Sequence, residues 1–188
     1  MLKEEVAKAL KVIQEGGIIL YPTDTVWGIG CDATNTEAIK KIFSLKQRDE
    51  AKSMIVLIET VNKLESYIRE VPEIAFDLIE YAENPLTLIM PGAKNISPAV
   101  IAADGSVGIR VVKNAFCEQL IQRLRKPLVS TSANISGQPT PQTFAEISPE
   151  ILEGVDYVVD LEQNNTTPKK PSTIMRLEPS GKFEFIRR

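Results

Sequence analysis

Short apolar runs alternate along this chain with segments that are apolar on one helical face, and that alternation most constrains the fold. Residues 2–15 set Val6, Ala9, Leu10 and Ile13 on one side of a helix, with Gly16-Gly17 as its stop. Ile18-Ile19-Leu20-Tyr21 is an apolar run ended by Pro22, the pattern of a buried strand feeding a loop. Residues 26–31 read as a second short strand broken by Gly28 and Gly30. Thr34 and Glu37 have the spacing of a capping box for a helix carrying Ile39, Ile42, Phe43 and Leu45. A strand at 54–58 and helices near 61–68 and 72–81 follow.

The second half repeats the alternation of element types without repeating the sequence. Strands are expected at 86–90 and 107–112, then a helix at 115–124 with Leu120, Ile121 and Leu124 on its apolar side. Leu128-Val129 enters a loop of small residues, and Ser148-Pro149-Glu150 reads as N-cap, N1 proline and first-turn acid. Late strands fall at 157–159, 173–177 and 183–186, and the polar stretch 162–170 reads as a surface loop or lid. With 188 residues, 43% of them hydrophobic, the chain suits one domain over 1–188. The expected architecture is α/β, a twisted mixed sheet with flanking helices.

Composition narrows the chemistry. The chain has no histidine, which removes Ser-His-Asp and Cys-His catalysis and His-ligated zinc. Cys31 and Cys117 lack metal-ligand spacing and are read as core thiols. Mixed charges at the N-terminus do not resemble an export signal, and no apolar run approaches the roughly 20 residues of a membrane span. The expected compartment is a reducing cytoplasm. A net charge of −3 argues against broad polyanion binding but leaves room for a local basic pocket.

Several segments concentrate groups that could bind a ligand. Pro22-Thr23-Asp24-Thr25-Val26-Trp27-Gly28 packs hydroxyls, a carboxylate and a glycine into one turn, as a site or as a self-bonded turn. Lys46-Gln47-Arg48 could clamp a polyphosphate, or could simply be the cationic end that a helix favours. Ser130-Thr131-Ser132-Ala133-Asn134-Ile135-Ser136-Gly137 is dense in small donors and acceptors, without the lysine of a Walker A loop. Arg110 stands inside an apolar strand and needs an anionic partner, either a substrate group or a structural carboxylate. Pro171-Ser172-Thr173 sets hydroxyls before a late strand, and Arg187 ends the last one.

Taken jointly, GGIILYPTDTVWGIGCDA, KQR, NPLTLIMPG, VGIRVV, STSANISG and PSTI resemble the YrdC/TsaC family of threonylcarbamoyl-AMP synthases, from Gly16 to Arg187. The resemblance implies a YrdC-like fold with a large concave, positively charged cavity for ATP and L-threonine. It implies that Thr23, Arg110, Ser132 and Ser172 contact L-threonine, with Arg110 on its carboxylate. It further implies that Lys46 and Arg48 hold the ATP phosphates, and that Ser106, Ser130, Asn134 and Arg187 line the nucleotide side. The chain departs from the family pattern at Trp27, where tyrosine is commoner, at Asn84, and over residues 49–53.

The implied reaction is non-covalent: the threonine amine takes up bicarbonate or CO2, and the carbamate attacks the α-phosphorus of ATP. Magnesium would arrive on ATP, with no protein ligand assigned and no organic cofactor. The product would serve tRNA-modification proteins, and binding of tRNA or double-stranded RNA stays open. Two rivals stand beside this expectation: a same-fold paralogue acting on another nucleotide or acceptor, and an RNA-binding module without turnover.

Overall fold

The structure is a computed structural model that describes residues 1–49 and 54–188. Glu50, Ala51, Lys52 and Ser53, part of the stretch that departs from the family pattern, lie outside the described residues. Along the chain run α1 (Leu2–Gln14), β1 (Ile19–Tyr21), β2 (Gly28–Gly30), α2 (Thr36–Leu45), β3 (Ile55–Ile58), α3 (Leu64–Tyr67), α4 (Ile74–Glu80) and β4 (Leu86–Met90). Then come β5 (Val107–Val111), α5 (Ala115–Leu124), β6 (Leu128–Ser132), α6 (Pro149–Gly154), β7 (Tyr157–Val158), β8 (Thr173–Leu177) and β9 (Phe183–Arg187). The strands make one mixed sheet in the order β7-β1-β2-β6-β3-β5-β4-β8-β9. The pairs β1/β7, β3/β5 and β4/β8 are parallel and the other five are antiparallel.

Period-2 alternation divides the strand side chains between two faces. On one, Leu20, Ile29, Val56, Ile58, Leu88, Ile109 and Val129 join Ile39, Ile42 and Phe43 of α2 and Ala75 and Ile79 of α4 in the larger core. On the other, Ile19, Tyr21, Leu57 and Leu128 lie under Val6, Ala9 and Ile13 of α1 and Phe116, Leu120 and Ile121 of α5. Each Val, Leu, Ile or Phe among them, fully buried, contributes about 1.5–3 kcal/mol. The helical spacing of those residues makes α1 and α5 one-sided and lets them pack on each other. Gly16 ends α1 at φ +80°, and the Gly16 and Gly17 N–H groups return to the Ile13 and Val12 carbonyls.

Three local expectations change. The N-cap of α2 is Asn35, whose side chain accepts the Ala38 N–H, while Thr34 bonds to Asp32 instead. The strand expected to end near Val129 continues through Ser130, Thr131 and Ser132, because antiparallel pairing with β2 and β3 satisfies that backbone on both sides. Near 61–68 the helix is broken into a 3-10 turn, Val61–Lys63, followed by the short α3. Both cysteines are free and buried, Cys31 in the larger core and Cys117 under α1.

Candidate active site

Beyond the reach of α1 and α5, the same sheet face is lined by Gly28, Ser130, Ile55, Gly108, Arg110 and Thr87, which form the floor of a cavity of about 280 Å³. Register places them side by side: Ile55 lies opposite Gly108 and Ser130, and Arg110 lies between Leu57 and Thr87. A Cβ on Gly108 would sit 3.1 Å from Ile55 Cγ2, and one on Gly28 would sit 3.0 Å from Ser130 Oγ. Both glycines therefore keep the floor low and let a ligand approach the backbone.

The β1–β2 loop forms one wall. Thr23 Oγ1 donates to the Val26 carbonyl at 2.8 Å and accepts the Thr25 N–H at 2.9 Å. That wholly buried side chain braces the loop and does not line the cavity; Thr25, Val26 and Trp27 do. Trp27 is steadied by Phe144, with ring centroids 4.9 Å apart. The 162–170 segment meets the same loop, since Lys169 Nζ donates to the Thr23 carbonyl at 2.9 Å and to Glu162 Oε2 at 2.8 Å.

Three guanidiniums line the cavity, those of Arg48, Arg110 and Arg187, and no carboxylate does among the described residues. Arg110 is 2% exposed and has Asp24 as its partner, Nη2 to Oδ1 at 3.2 Å. The bland half of the sequence alternative, a structural acid, is thus present. Arg110 Nε nevertheless has no hydrogen-bond partner. Arg187 donates from Nε and Nη2 to the Ser172 carbonyl at 3.1 and 2.8 Å. Burial, and then the nearby Arg110 charge, hold the Arg187 guanidinium below its ordinary value. Burial alone lowers Arg48. Clustered, partly desolvated cations of this kind favour an anionic ligand.

The expected site residues divide. Arg48, Arg110, Ser130, Ser132, Ser172 and Arg187 meet at one cavity. Ser172 adds a hydroxyl contact to Thr87 at 2.8 Å. Thr23, Lys46, Ser106 and Asn134 are not on its lining. Lys46 Nζ donates to the carbonyls of Ser132 and Asn134, tying the end of α2 to the turn after β6. Burial, reinforced by Arg48, lowers its pKa to about 8. Ser106 donates its hydroxyl to Asp104 Oδ1 at 2.6 Å. Asn134 Nδ2 bonds to the Ile135 and Gln138 carbonyls, leaving its buried Oδ1 without a partner.

Thr25 belongs to the turn the sequence singled out but was given no role, and sequence reading missed Thr87, Gly108 and Thr140; all four line the cavity. A glycine inside the strand Val107–Val111, two residues before Arg110, was the available signal for Gly108, since strand interiors keep glycine where something approaches the backbone. Nothing in the local sequence marks Thr140. Among the described residues, no group of three or more His, Cys, Asp or Glu side chains could hold a metal ion, and no helix is long and apolar enough to cross a membrane.

This fold and site define an α/β protein with an arginine-lined cavity on an uncovered sheet face. The chain belongs to the Sua5/YciO/YrdC family, whose model, described as "Telomere recombination", matches residues 11–188. A threonylcarbamoyl-AMP synthase of Pseudoalteromonas translucida is 34% identical over 172 residues, covering 90% of this chain and 91% of the relative. A putative threonylcarbamoyl-AMP synthase of Methanocaldococcus jannaschii is 36% identical over 170 residues, covering 89% and 78%. Among solved structures, P. abyssi Sua5 complexed with L-threonine superposes with a TM-score of 0.81 at 27% identity, covering 92% of this chain and 50% of that one. The chain thus spans half the length of that Sua5. E. coli YciO, at 23% identity, matches the fold over all of this chain and 90% of its own, with a TM-score of 0.85.

Proposed function

We propose that this chain is a threonylcarbamoyl-AMP synthase, forming threonylcarbamoyl-AMP and pyrophosphate from L-threonine, bicarbonate or CO2, and ATP. The observation that carries the reading is the ring of Arg48, Arg110 and Arg187 around a hydroxyl-lined cavity without a carboxylate, in a chain of this family. L-threonine and ATP are anionic where such a ring would meet them, at a carboxylate and at a polyphosphate.

In the proposed reaction the neutral threonine amine attacks CO2 and loses a proton to solvent, leaving a carbamate. A carbamate oxygen then attacks the α-phosphorus, and the bond to the β-phosphate bridge breaks with release of pyrophosphate. Histidine and a reactive thiol are not needed. Arg110 would take the threonine carboxylate, with Ser132 and Ser172 beside it. Arg48 and Arg187, with Ser130, would face the nucleotide. Lys46, Asn134 and Thr23 would act one step back, by fixing the loops that carry the wall. Ser106 would act through its bond to Asp104. Positioned charge of this kind lowers the barrier by orientation and by stabilising the leaving phosphate oxygens.

The lining offers no set of carboxylate oxygens to a cation, so the described residues do not fit a protein-held metal. Magnesium, in this proposal, travels on ATP among phosphate oxygens and water. The labile product would pass to proteins that modify tRNA adenosine, in the cytoplasm. The test is pyrophosphate release from ATP, measured with each of threonine and bicarbonate withheld in turn. Release that ignores threonine sinks the proposal and leaves the same-fold paralogue in its place. Salt-dependent RNA binding without any release would favour the binding module.

A further inference from the structure

We propose that Asp24 is a positioning residue: it holds the Arg110 guanidinium from behind, so that its remaining N–H groups face a substrate carboxylate in the cavity. The inference rests on the amino-acid reading of the cavity given above. Its support is geometric. Asp24 Oδ2 accepts the Lys113 N–H at 3.1 Å, just past the end of the strand that bears Arg110. The other oxygen, Oδ1, stands 3.2 Å from Arg110 Nη2, with the two side chains 8% and 3% exposed.

The pair runs through the cavity wall. Arg110 lines the cavity, whereas Asp24 borders a separate cleft with Asn84, Pro85, Val111 and Lys113. A ligand carboxylate can therefore meet the guanidinium without displacing Asp24. A guanidinium has five N–H donors in a rigid fork, and one carboxylate oxygen occupies only part of it. Arg110 Nε has no partner, and the contact at Asp24 Oδ1 is not aligned as a hydrogen bond. Nε is itself closed off from solvent, so a ligand oxygen in the cavity would meet the fork at its terminal N–H groups.

Two effects of Asp24 on an anionic ligand oppose each other. Its charge weakens the attraction of the site, and its grip orients the fork. Orientation prevails here because the carboxylate lies on the far side of the guanidinium, while the ligand makes direct charge-assisted contacts. Without Asp24, the Arg110 fork would lose the carboxylate that stands against it in the wall.

The test is Asp24→Asn, which keeps an oxygen for the Lys113 N–H and removes the charge. Calorimetric titration should show the Kd for L-threonine rising about tenfold or more, the loss expected if a misaligned Arg110 gives up one charge-assisted hydrogen bond to the ligand. The Kd for ATP should stay within about twofold, as expected of a more distant site. Equal or tighter threonine binding by the folded variant overturns the proposal in favour of a displaceable counter-ion. Equal loss for threonine and ATP overturns it in favour of general disruption. The ligand-free protein provides an independent reading through the Arg110 Nε–H signal in 15N NMR. That signal should be sharp in the wild type and broadened in Asp24→Asn; no difference overturns the positioning role. Wild-type protein that binds no threonine, yet shows the NMR difference, removes the functional reading and leaves the positioning intact. If Asp24→Asn does not fold, Asp24→Glu serves: it should keep the NMR signal and bind threonine more weakly than wild type, and wild-type affinity would overturn the proposal.

Discussion

Along one face of the sheet, residues two positions apart meet opposite fates. On β6, Leu128 lies under the α1/α5 pair while Ser130 lines the cavity. On β3 the wholly buried Leu57 belongs to that second core, and the half-buried Ile55 sits at its border, packing on it and reaching the cavity. On the β5 side Val112 is core, and Arg110 and Gly108 are cavity. The backbone is the same pleated ladder throughout, so the difference lies in side-chain size and polarity. Bulky apolar residues recruit a helical cover. Glycine, hydroxyls and arginine leave space and charge that a helix face cannot satisfy.

Four substitutions break or sharpen that contrast. Arg110→Ala should have the largest effect, because it empties the cavity's buried cation and leaves Asp24 without its partner. Breaking such a pair costs about 3–5 kcal/mol of stability, read by chemical denaturation. The threonine requirement in the pyrophosphate assay should rise roughly 100-fold or more. On the covered half, Leu120→Ala should cost about 2–5 kcal/mol of stability. Its folded fraction should keep wild-type kcat/KM; a large loss of kcat/KM would mean that the two halves are coupled.

Gly108→Ala tests the floor itself. The added methyl would meet Ile55 Cγ2 at 3.1 Å and Thr87 Cγ2 at 3.3 Å. Crowding of this order costs about 1–3 kcal/mol, and ligand affinity should fall more than the thermal midpoint. The opposite outcome would place the ligand away from β5. Lys46 affects the loop behind the cavity rather than the cavity itself, and is read through its pH dependence. Its folded pKa is about 8 against an ordinary 10.5. Below pH 8 the ammonium is charged in folded and unfolded chains alike, and its burial cost is fully present. Between about pH 8 and 10.5 the unfolded chain binds more protons, so stability rises with pH. The wild-type midpoint should therefore gain on that of Lys46→Met across this window, and a constant gap would overturn the assignment.

Much of the architecture was legible because the elements advertise themselves locally. The strands Leu86–Met90 and Thr173–Leu177 and the helix Ala115–Leu124 stand where periodicity puts them. Within β6, Ser130, Thr131 and Ser132 misled, because small hydroxyl residues look like loop until two neighbouring strands supply their hydrogen bonds. The site divided in the same way. Arg110 announced itself as a charge in an apolar strand. Thr23 and Thr25 could not be told apart by composition, and only the loop's internal bonds turn one inward and the other to the cavity.

The sequence by itself determined the alternating element types, the buried unpaired cysteines and a chemistry without histidine. Those properties are local or compositional, set by periodicity and by which functional groups exist. Tertiary structure decided which groups meet. Asp24 finds Arg110, Thr87 finds Ser172, and Lys46 finds the carbonyls of Ser132 and Asn134, all between segments far apart in the chain. Strand order and register set those meetings, and they are fixed by the simultaneous burial of both sheet faces rather than by any single segment.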